Sequence, residues 1–280
     1  MRDPRTSMWF QRYLSQPMRV GTLSRDSFRS KLRAPWPMFN WLLDETRRSG
    51  LFADEMRPKP GNPPLPLGLK VAASLRYLAL GCHVEANEEG AALGRSTLSH
   101  FQPRWLQWVV DTYSDEWIRP PRTVEELIRE ERKFRMCGLP GCIASMDGVH
   151  CPWDRCQSQE RYNYVGKEGY PTVAWNVCVS HSKMILSVHG PFGGNKIDKT
   201  MVRSDRFIRS LIEDRLYKGM QYEQLVDLEG NVRVQEGAWV LCDGGYHRWL
   251  HTMAGWKAEE APTVVMGKCG KRCESIRKDA

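Results

Sequence analysis

Cys142-Ile143-Ala144-Ser145-Met146-Asp147-Gly148-Val149-His150 is the stretch that decides the fold: five uncharged residues, then a carboxylate, then glycine. A short, uninterrupted run of this kind, opened by Gly141, has the length and the bounding turn residues of a buried strand. A second stretch has the same form, with Ala238-Trp239-Val240-Leu241-Cys242 handing on to Asp243-Gly244-Gly245-Tyr246. Between the two, Thr172 to Val179 and Met184 to Val188 are strand-like runs, and Phe207 to Leu216 reads as a helix. Strands and helices in this order predict a mixed α/β sheet with helices against it.

Upstream the texture is helical. Residues 1–60 are rich in Arg, Trp and Phe, with a helix expected around Met38-Phe39-Asn40-Trp41-Leu42-Leu43. Pro58, Pro60, Pro63, Pro64 and Pro66 then break the chain, since proline lacks the amide donor and restricts its predecessor. Residues 61–118 form the next unit. Leu67, Val71, Leu75 and Leu78 recur at three and four, and Gly81 supplies a stop. A short helix over Val84 to Ala92 is followed by Leu93-Gly94-Arg95 and then by a third helix, with Ser96 as its cap, running toward Trp105 and Trp108. Helix, short helix, glycine turn and capped helix make the order of a helix-turn-helix, and equally of a plain three-helix packing unit. Residues 119–140 read as a connecting helix in which Thr123 and Glu126 have the spacing of a capping box, leaving 141–280 for the sheet.

The 280 residues suffice for one sizeable core plus a smaller helical unit, and 26% charged residues put the chain among ordinary globular proteins rather than disordered ones. The formal charge of +8 fits a polyanionic partner without identifying one. Nine cysteines, an odd number scattered along a chain that opens without an apolar signal segment, predict reduced thiols inside the cell. The close pairs Cys137/Cys142, Cys151/Cys156 and Cys269/Cys273 lack the two-residue spacing of a zinc knuckle. No run approaches the ~18 apolar residues of a membrane span.

Asp147 and Asp243 lie 96 positions apart, each at the end of an apolar strand, so neighbouring strands can present both at one sheet edge. Carboxylates converging from different elements are what a phosphodiester-cleaving site needs in order to hold two divalent ions ~3.5–4 Å apart. Mg²⁺ prefers such hard oxygen ligands, and disfavours the imidazole of His150, which is expected to orient the Asp147 loop. Asp-Gly is also a common turn signal, and that alternative stands for each aspartate taken singly.

Four motifs in series carry a family resemblance. Asp147-Gly148-Val149-His150-Cys151-Pro152 resembles the Asp-Gly-Thr-His-hydrophobic-Pro motif of Harbinger-type transposases and their domesticated nuclease relatives. The segment from Arg161 to Pro171, before the strand at Val173 to Val177, resembles that family's Tyr-x-x-Arg-Lys-Gly segment. Pro191 to Lys199, with Asp198, is similar to its Gly-Ser-x-x-Asp segment, and Leu241 to Tyr246 to its Asp-x-Gly-Tyr motif. Leu69 to Gly81 and Ser96 to Phe101 resemble the helix-turn-helix region upstream of the nuclease, so the resemblance covers most of the chain.

The resemblance implies an RNase H-like DDE nuclease behind an all-α helix-turn-helix-like region. It implies Mg²⁺- or Mn²⁺-dependent strand cleavage and joining at transposon terminal repeats, with two ions and nuclear action. Asp147 and Asp243 would be the catalytic and metal-binding carboxylates, and Asp198 a further ligand. Arg95, Ser96, Thr97, Ser99, His100 and Arg104 would meet DNA, and His247, Trp249 and His251, close after Asp243, are candidates for DNA contact and equally for a structural role. A Myb-like accessory partner is in keeping with the family, and a homo-oligomer fits the same reading. Val149 stands where the family has threonine, and Gly193 to Ile197 stand where it more often has Ser and His. The third acid is expected just after Ala280, with Glu274 a weak substitute, so the chain is also readable as an incomplete copy. The alternative function is a catalytically silent DNA-binding protein derived from a transposase.

Overall fold

A computed structural model describes residues 3–57, 65–81, 87–226, 229–246, 251–255, 259, 261 and 264–279. The chain divides into two compact units, Met1–Tyr113 and Ser114–Ala280.

The first unit is helical and includes α1 (Leu23–Leu32), α2 (Trp36–Arg48), α3 (Leu67–Leu80), α4 (Glu88–Ala91) and most of α5 (Arg95–Trp117). Residues from both expected segments, 1–60 and 61–118, share one core. Phe28 is its hub: Tyr13, Trp36 and Phe39 meet its ring at centroid distances of 5.0–5.4 Å, in the edge-on geometry that aromatic quadrupoles favour. In α3 the periodic Leu67, Val71 and Leu75 are buried, Leu78 is exposed, and Gly81 ends the helix with φ +60, where a side chain is disfavoured. The expected helix at 84–92 is described only from Asn87, with α4 beginning at Glu88, because 82–86 lie outside the described residues, as do Pro58, Pro60, Pro63 and Pro64. Helix α5 starts one residue before its expected cap. The Gly94 carbonyl accepts from the Thr97 and Leu98 amides, which puts Ser96 inside the first turn rather than at the cap.

The second unit is mixed α/β. Its five-stranded sheet has the order β3-β2-β1-β6-β7, from β1 (Cys142–Pro152), β2 (Thr172–Val179), β3 (Ile185–Gly193), β6 (Trp239–Cys242) and β7 (Thr252–Ala254). β1, β2 and β3 form an antiparallel meander, while β6 pairs parallel to β1, and β7 parallel to β6. A separate hairpin joins β4 (Gln221–Leu225) and β5 (Val232–Glu236). The remaining helices are α6 (Val124–Met136), α7 (Arg161–Tyr164), α8 (Asp198–Ser204), α9 (Arg206–Glu213), α10 (Arg215–Lys218) and α11 (Val264–Asp279).

Why these strands are central follows from their composition. Cys142 to Met146 and all of β6 are buried without alternation, as befits strands covered on both faces, whereas β2 alternates between buried and half-buried positions. Leu127 and Phe134 of α6, Phe207, Ile208 and Leu211 of α9, and Ile276 of α11 complete this core. Thr123 caps α6 by accepting from the Glu126 amide at 3.3 Å, but Glu126 returns to the Arg122 amide and to Arg119 rather than to Thr123, so only half of the expected capping box forms. The expected helix at 207–216 is split, because Asp205 caps α9 and Asp214 caps a new turn at α10.

One polar network lies inside the core. Tyr246 Oη donates to Asn176 Oδ1 at 3.0 Å, and Asn176 Nδ2 donates to Asp205 Oδ2 at 2.5 Å. The other oxygen of Asp205 accepts from the Phe207 and Ile208 amides at 2.9 and 3.3 Å. Burial holds the Tyr246 phenol well above its ordinary titration range, so it remains a donor. Replacing Asp205 by alanine removes a helix cap and strands a buried amide donor. We expect Asp205→Ala to destabilise the second unit by about 2–4 kcal/mol in urea unfolding. A change under ~0.5 kcal/mol, the range of neutral surface substitutions, would mean the network is dispensable.

Candidate active site

Parallel pairing of β1 with β6 sets Ser145 opposite Leu241. Continuing that register by two residues brings Asp147 level with Asp243. The two aspartates are held differently. Asp147 lies within β1, opposite Val177 of β2, so the turn alternative fails there, and so does the expected Asp147 loop. Asp243 does form a turn: its Oδ1 accepts from the Gly245 amide at 2.7 Å.

Asp198, in the first turn of α8, approaches both. A Cβ built on Gly148 would lie 2.8 Å from Asp198 Oδ1, and one built on Gly245 would lie 3.0 Å from both Asp198 Oδ2 and Asp243 Oδ1. Glycine after each aspartate therefore leaves the space that the third carboxylate enters. Asp198 is pushed above the ordinary carboxylate range, first by burial. The Lys167 charge opposes the shift, and the Asp243 and Asp147 charges add to it. Cys242, beside Asp243, is pushed up to about 12 by burial, so it stays a thiol and leaves the carboxylates as the hard donors.

Asp147 already has partners. Its Oδ1 accepts from the Gly148 amide at 2.9 Å, and its Oδ2 accepts from Arg277 Nη1 at 2.5 Å. Arg277, from the last turn of α11, also grips Glu274 through Nη2 at 2.7 Å and Nε at 3.3 Å. Glu274 is held below the ordinary carboxylate range by this hydrogen bond. Both of its oxygens are thus engaged by an arginine. The position expected for the third acid, after Ala280, is outside the described residues. Among the described residues, no three His, Cys, Asp or Glu side chains are gathered closely enough to hold a metal ion. His150 Nδ1 lies 3.0 Å from Thr172 Oγ1, linking β1 to the start of β2.

The six residues expected to meet DNA lie on α5 and divide into two sets. Arg95, Ser96 and Ser99 are exposed, and Thr97 is half-buried. His100 Nδ1 lies 3.3 Å from Glu55 Oε1. Arg104 reaches Glu55 Oε1 at 3.1 Å and Asp54 Oδ2 at 3.3 Å, its guanidinium lying over the Phe52 ring. Glu55 also neutralises Lys70, whose side chain is 2% exposed. These two basic residues are therefore engaged with acids of their own unit. His247 and Trp249 lie outside the described residues, and His251 Nδ1 is 2.9 Å from the Ala238 carbonyl oxygen.

Asn176, Asp205 and Arg277 had no assigned role in the sequence reading, although Asn176 stands in the strand that follows its second motif. No described helix is long and apolar enough to cross a membrane. Comparison with protein-family models, with curated proteins and with solved structures found no match to this chain.

The raised Asp198 has a linkage consequence. Its folded pKa exceeds the unfolded value, so folding favours the protonated form, and ionisation costs stability once the pH rises through the folded pKa. Asp198→Asn should therefore raise the urea midpoint at pH 7, and the gain should shrink as pH falls toward ~4, where the unfolded carboxyl also protonates. A gain independent of pH would contradict the electrostatic origin.

Proposed function

We propose that this chain is a DDE endonuclease of the Harbinger transposase type, acting on DNA in the nucleus, with Asp147 and Asp243 as its metal-binding carboxylates and Asp198 as an additional ligand. The observation that carries the reading is the parallel β1/β6 register, which sets two Asp-Gly motifs level on adjacent strands. A three-stranded antiparallel meander continued by two parallel strands, with helices packed against it, is compatible with an RNase H-like fold. The glycines Gly148 and Gly245 leave room for Asp198 beside the two aspartates, and carboxylates are the oxygen donors that Mg²⁺ or Mn²⁺ prefers. A pair of such ions would activate water and stabilise the leaving oxygen of a phosphodiester. The substrate is proposed to be transposon terminal repeats, with room for a Myb-like accessory protein and for self-association.

One observation favours a second reading, a catalytically silent DNA-binding protein. The Arg277 guanidinium sits on Asp147, where a metal would bind.

A duplex carrying a terminal repeat, incubated with the chain in Mg²⁺ or Mn²⁺, separates the readings. We expect metal-dependent nicking that falls at least ~100-fold in Asp147→Asn and in Asp243→Asn, the scale of losing one transition-state electrostatic contact. DNA affinity should change less than ~2-fold, because phosphate contacts made elsewhere set it. Undiminished cleavage in either variant would sink the assignment. Salt-dependent binding without any metal-dependent product would select the silent binder, and neither binding nor cleavage would remove both.

The internal pairing of α5 carries its own expectation. Arg104→Ala should lower stability yet leave the low-salt DNA affinity within ~2-fold and the salt slope unchanged. A slope reduced by about one counterion would instead put Arg104 on a phosphate.

A further inference from the structure

Among the described residues, Arg277 is the cation in contact with Asp147 at the β1/β6 edge, and its setting is unusual for an exposed pair. Its side chain is only 9% exposed, while Asp147 is 57% exposed and Glu274 42%. The guanidinium is shared: one nitrogen goes to Asp147 Oδ2, and two others form a fork on Glu274. Planar, bidentate pairing of this kind is the strongest geometry available to a carboxylate, and Glu274 has it while Asp147 has a single contact. Both acids raise the arginine's already high pKa, the Glu274 hydrogen bond most, so Arg277 cannot leave by losing its proton. Taking the charge out of water is tolerable only while it stays paired.

Resting on the nuclease reading above, we propose that Arg277 is a resident competitor of the metal: a tethered cation that occupies Asp147 in the metal-free protein and is displaced toward Glu274 when a divalent ion binds. Glu274 is then the acceptor that retains Arg277, not a ligand. The divided geometry gives the device its bias. Arg277 keeps its fork on Glu274 when it releases Asp147, so the exchange breaks one charge-assisted hydrogen bond and leaves the arginine paired. Asp147 in turn trades a cation for a cation, keeping its Oδ1 contact with the Gly148 amide. No proton need be released or taken up at these three groups. The competition sets the metal affinity of the site, and whatever moves the last turn of α11 alters it.

The test is Mn²⁺ affinity, read from the electron paramagnetic resonance signal of free Mn²⁺ during titration of the intact chain, for wild type, Arg277→Met, Arg277→Lys and Asp147→Asn, each first checked for a native melting transition. Arg277→Met should bind Mn²⁺ roughly 10-fold more tightly than wild type, the size of a typical coupling between two ligands that exclude each other. Arg277→Lys, which keeps the charge without the fork, should fall between them, and remains informative if the methionine variant fails to fold. Asp147→Asn should weaken binding in either background. Adding Glu274→Gln to Arg277→Met should leave the tighter affinity unchanged.

Equal or weaker binding in folded Arg277→Met or Arg277→Lys, with wild type still bound through Asp147, overturns the competitor role and leaves the nuclease reading standing. A double variant that loses the tight binding makes Glu274 a ligand and overturns its role as the retaining acceptor. Absence of Asp147-dependent Mn²⁺ binding in every variant removes the metal site itself, and this inference with it.

Discussion

Everything at the candidate site depends on the pairing of β1 with β6. It is a parallel pairing between segments almost a hundred residues apart, the non-local kind of contact that closes a long stretch of chain. A slip of one residue would turn every side chain of β6 to the opposite face and separate Asp147 from Asp243. Core packing holds the pair in place: Ile143, Ala144, Val240 and Leu241 are all buried. The Tyr246–Asn176–Asp205 network adds a polar constraint, tying the turn after Asp243 to β2 and to the start of α9. Buried polar groups with every partner present favour one arrangement over near alternatives, because any slip leaves donors and acceptors unpaired.

Much of this was legible in the sequence where local pattern and tertiary role coincide. β2 spans Thr172–Val179, as its apolar texture predicts, and β6 starts one residue later than expected. β1 runs six residues beyond its apolar run, because pairing with β2 continues to Pro152 through residues that are half-buried or exposed. The hairpin of β4 and β5 was not read, since Gln221–Leu225 and Val232–Glu236 mix polar and apolar residues and, apart from Tyr222, stay largely outside the core. Nor was α11 read as a helix; the segment appeared only as a stretch preceding an expected acid. The site was half legible. Two Asp-Gly motifs after apolar runs announce themselves, and Asp198 stands in a recognisable segment. Arg277 is different in kind: its partner lies 130 residues away, and no spacing rule links them.

The helical unit teaches a complementary lesson. Basic residues at a helix start suggested a surface for a polyanion, yet His100 faces Glu55, and Arg104 faces Asp54 and Glu55, in the short 3-10 turn between α2 and α3. Lys70 is drawn into the same cluster, so Glu55 serves three bases. The net charge already cancels Lys70 and Arg104 against Asp54 and Glu55 and counts His100 as neutral, so this cluster contributes none of the +8. The part of the +8 that remains to face a partner has to be sought elsewhere on the chain.

Three cysteines sit inside the strands that frame the carboxylates: Cys142, Cys178 and Cys242, all buried and reduced. Burial drives each thiol upward, the first two well above their ordinary range, so at neutral pH they are protonated and sealed from solvent. A thiol reagent reaches them only when the sheet opens, and it attacks the thiolate that exposure restores. The chain thus carries its own opening gauge. Cys178 and Cys242 lie close in sequence to Asn176 and Tyr246, and their modification rates, compared with exposed Cys151, report how often the edge bearing Asp147 and Asp243 is laid open.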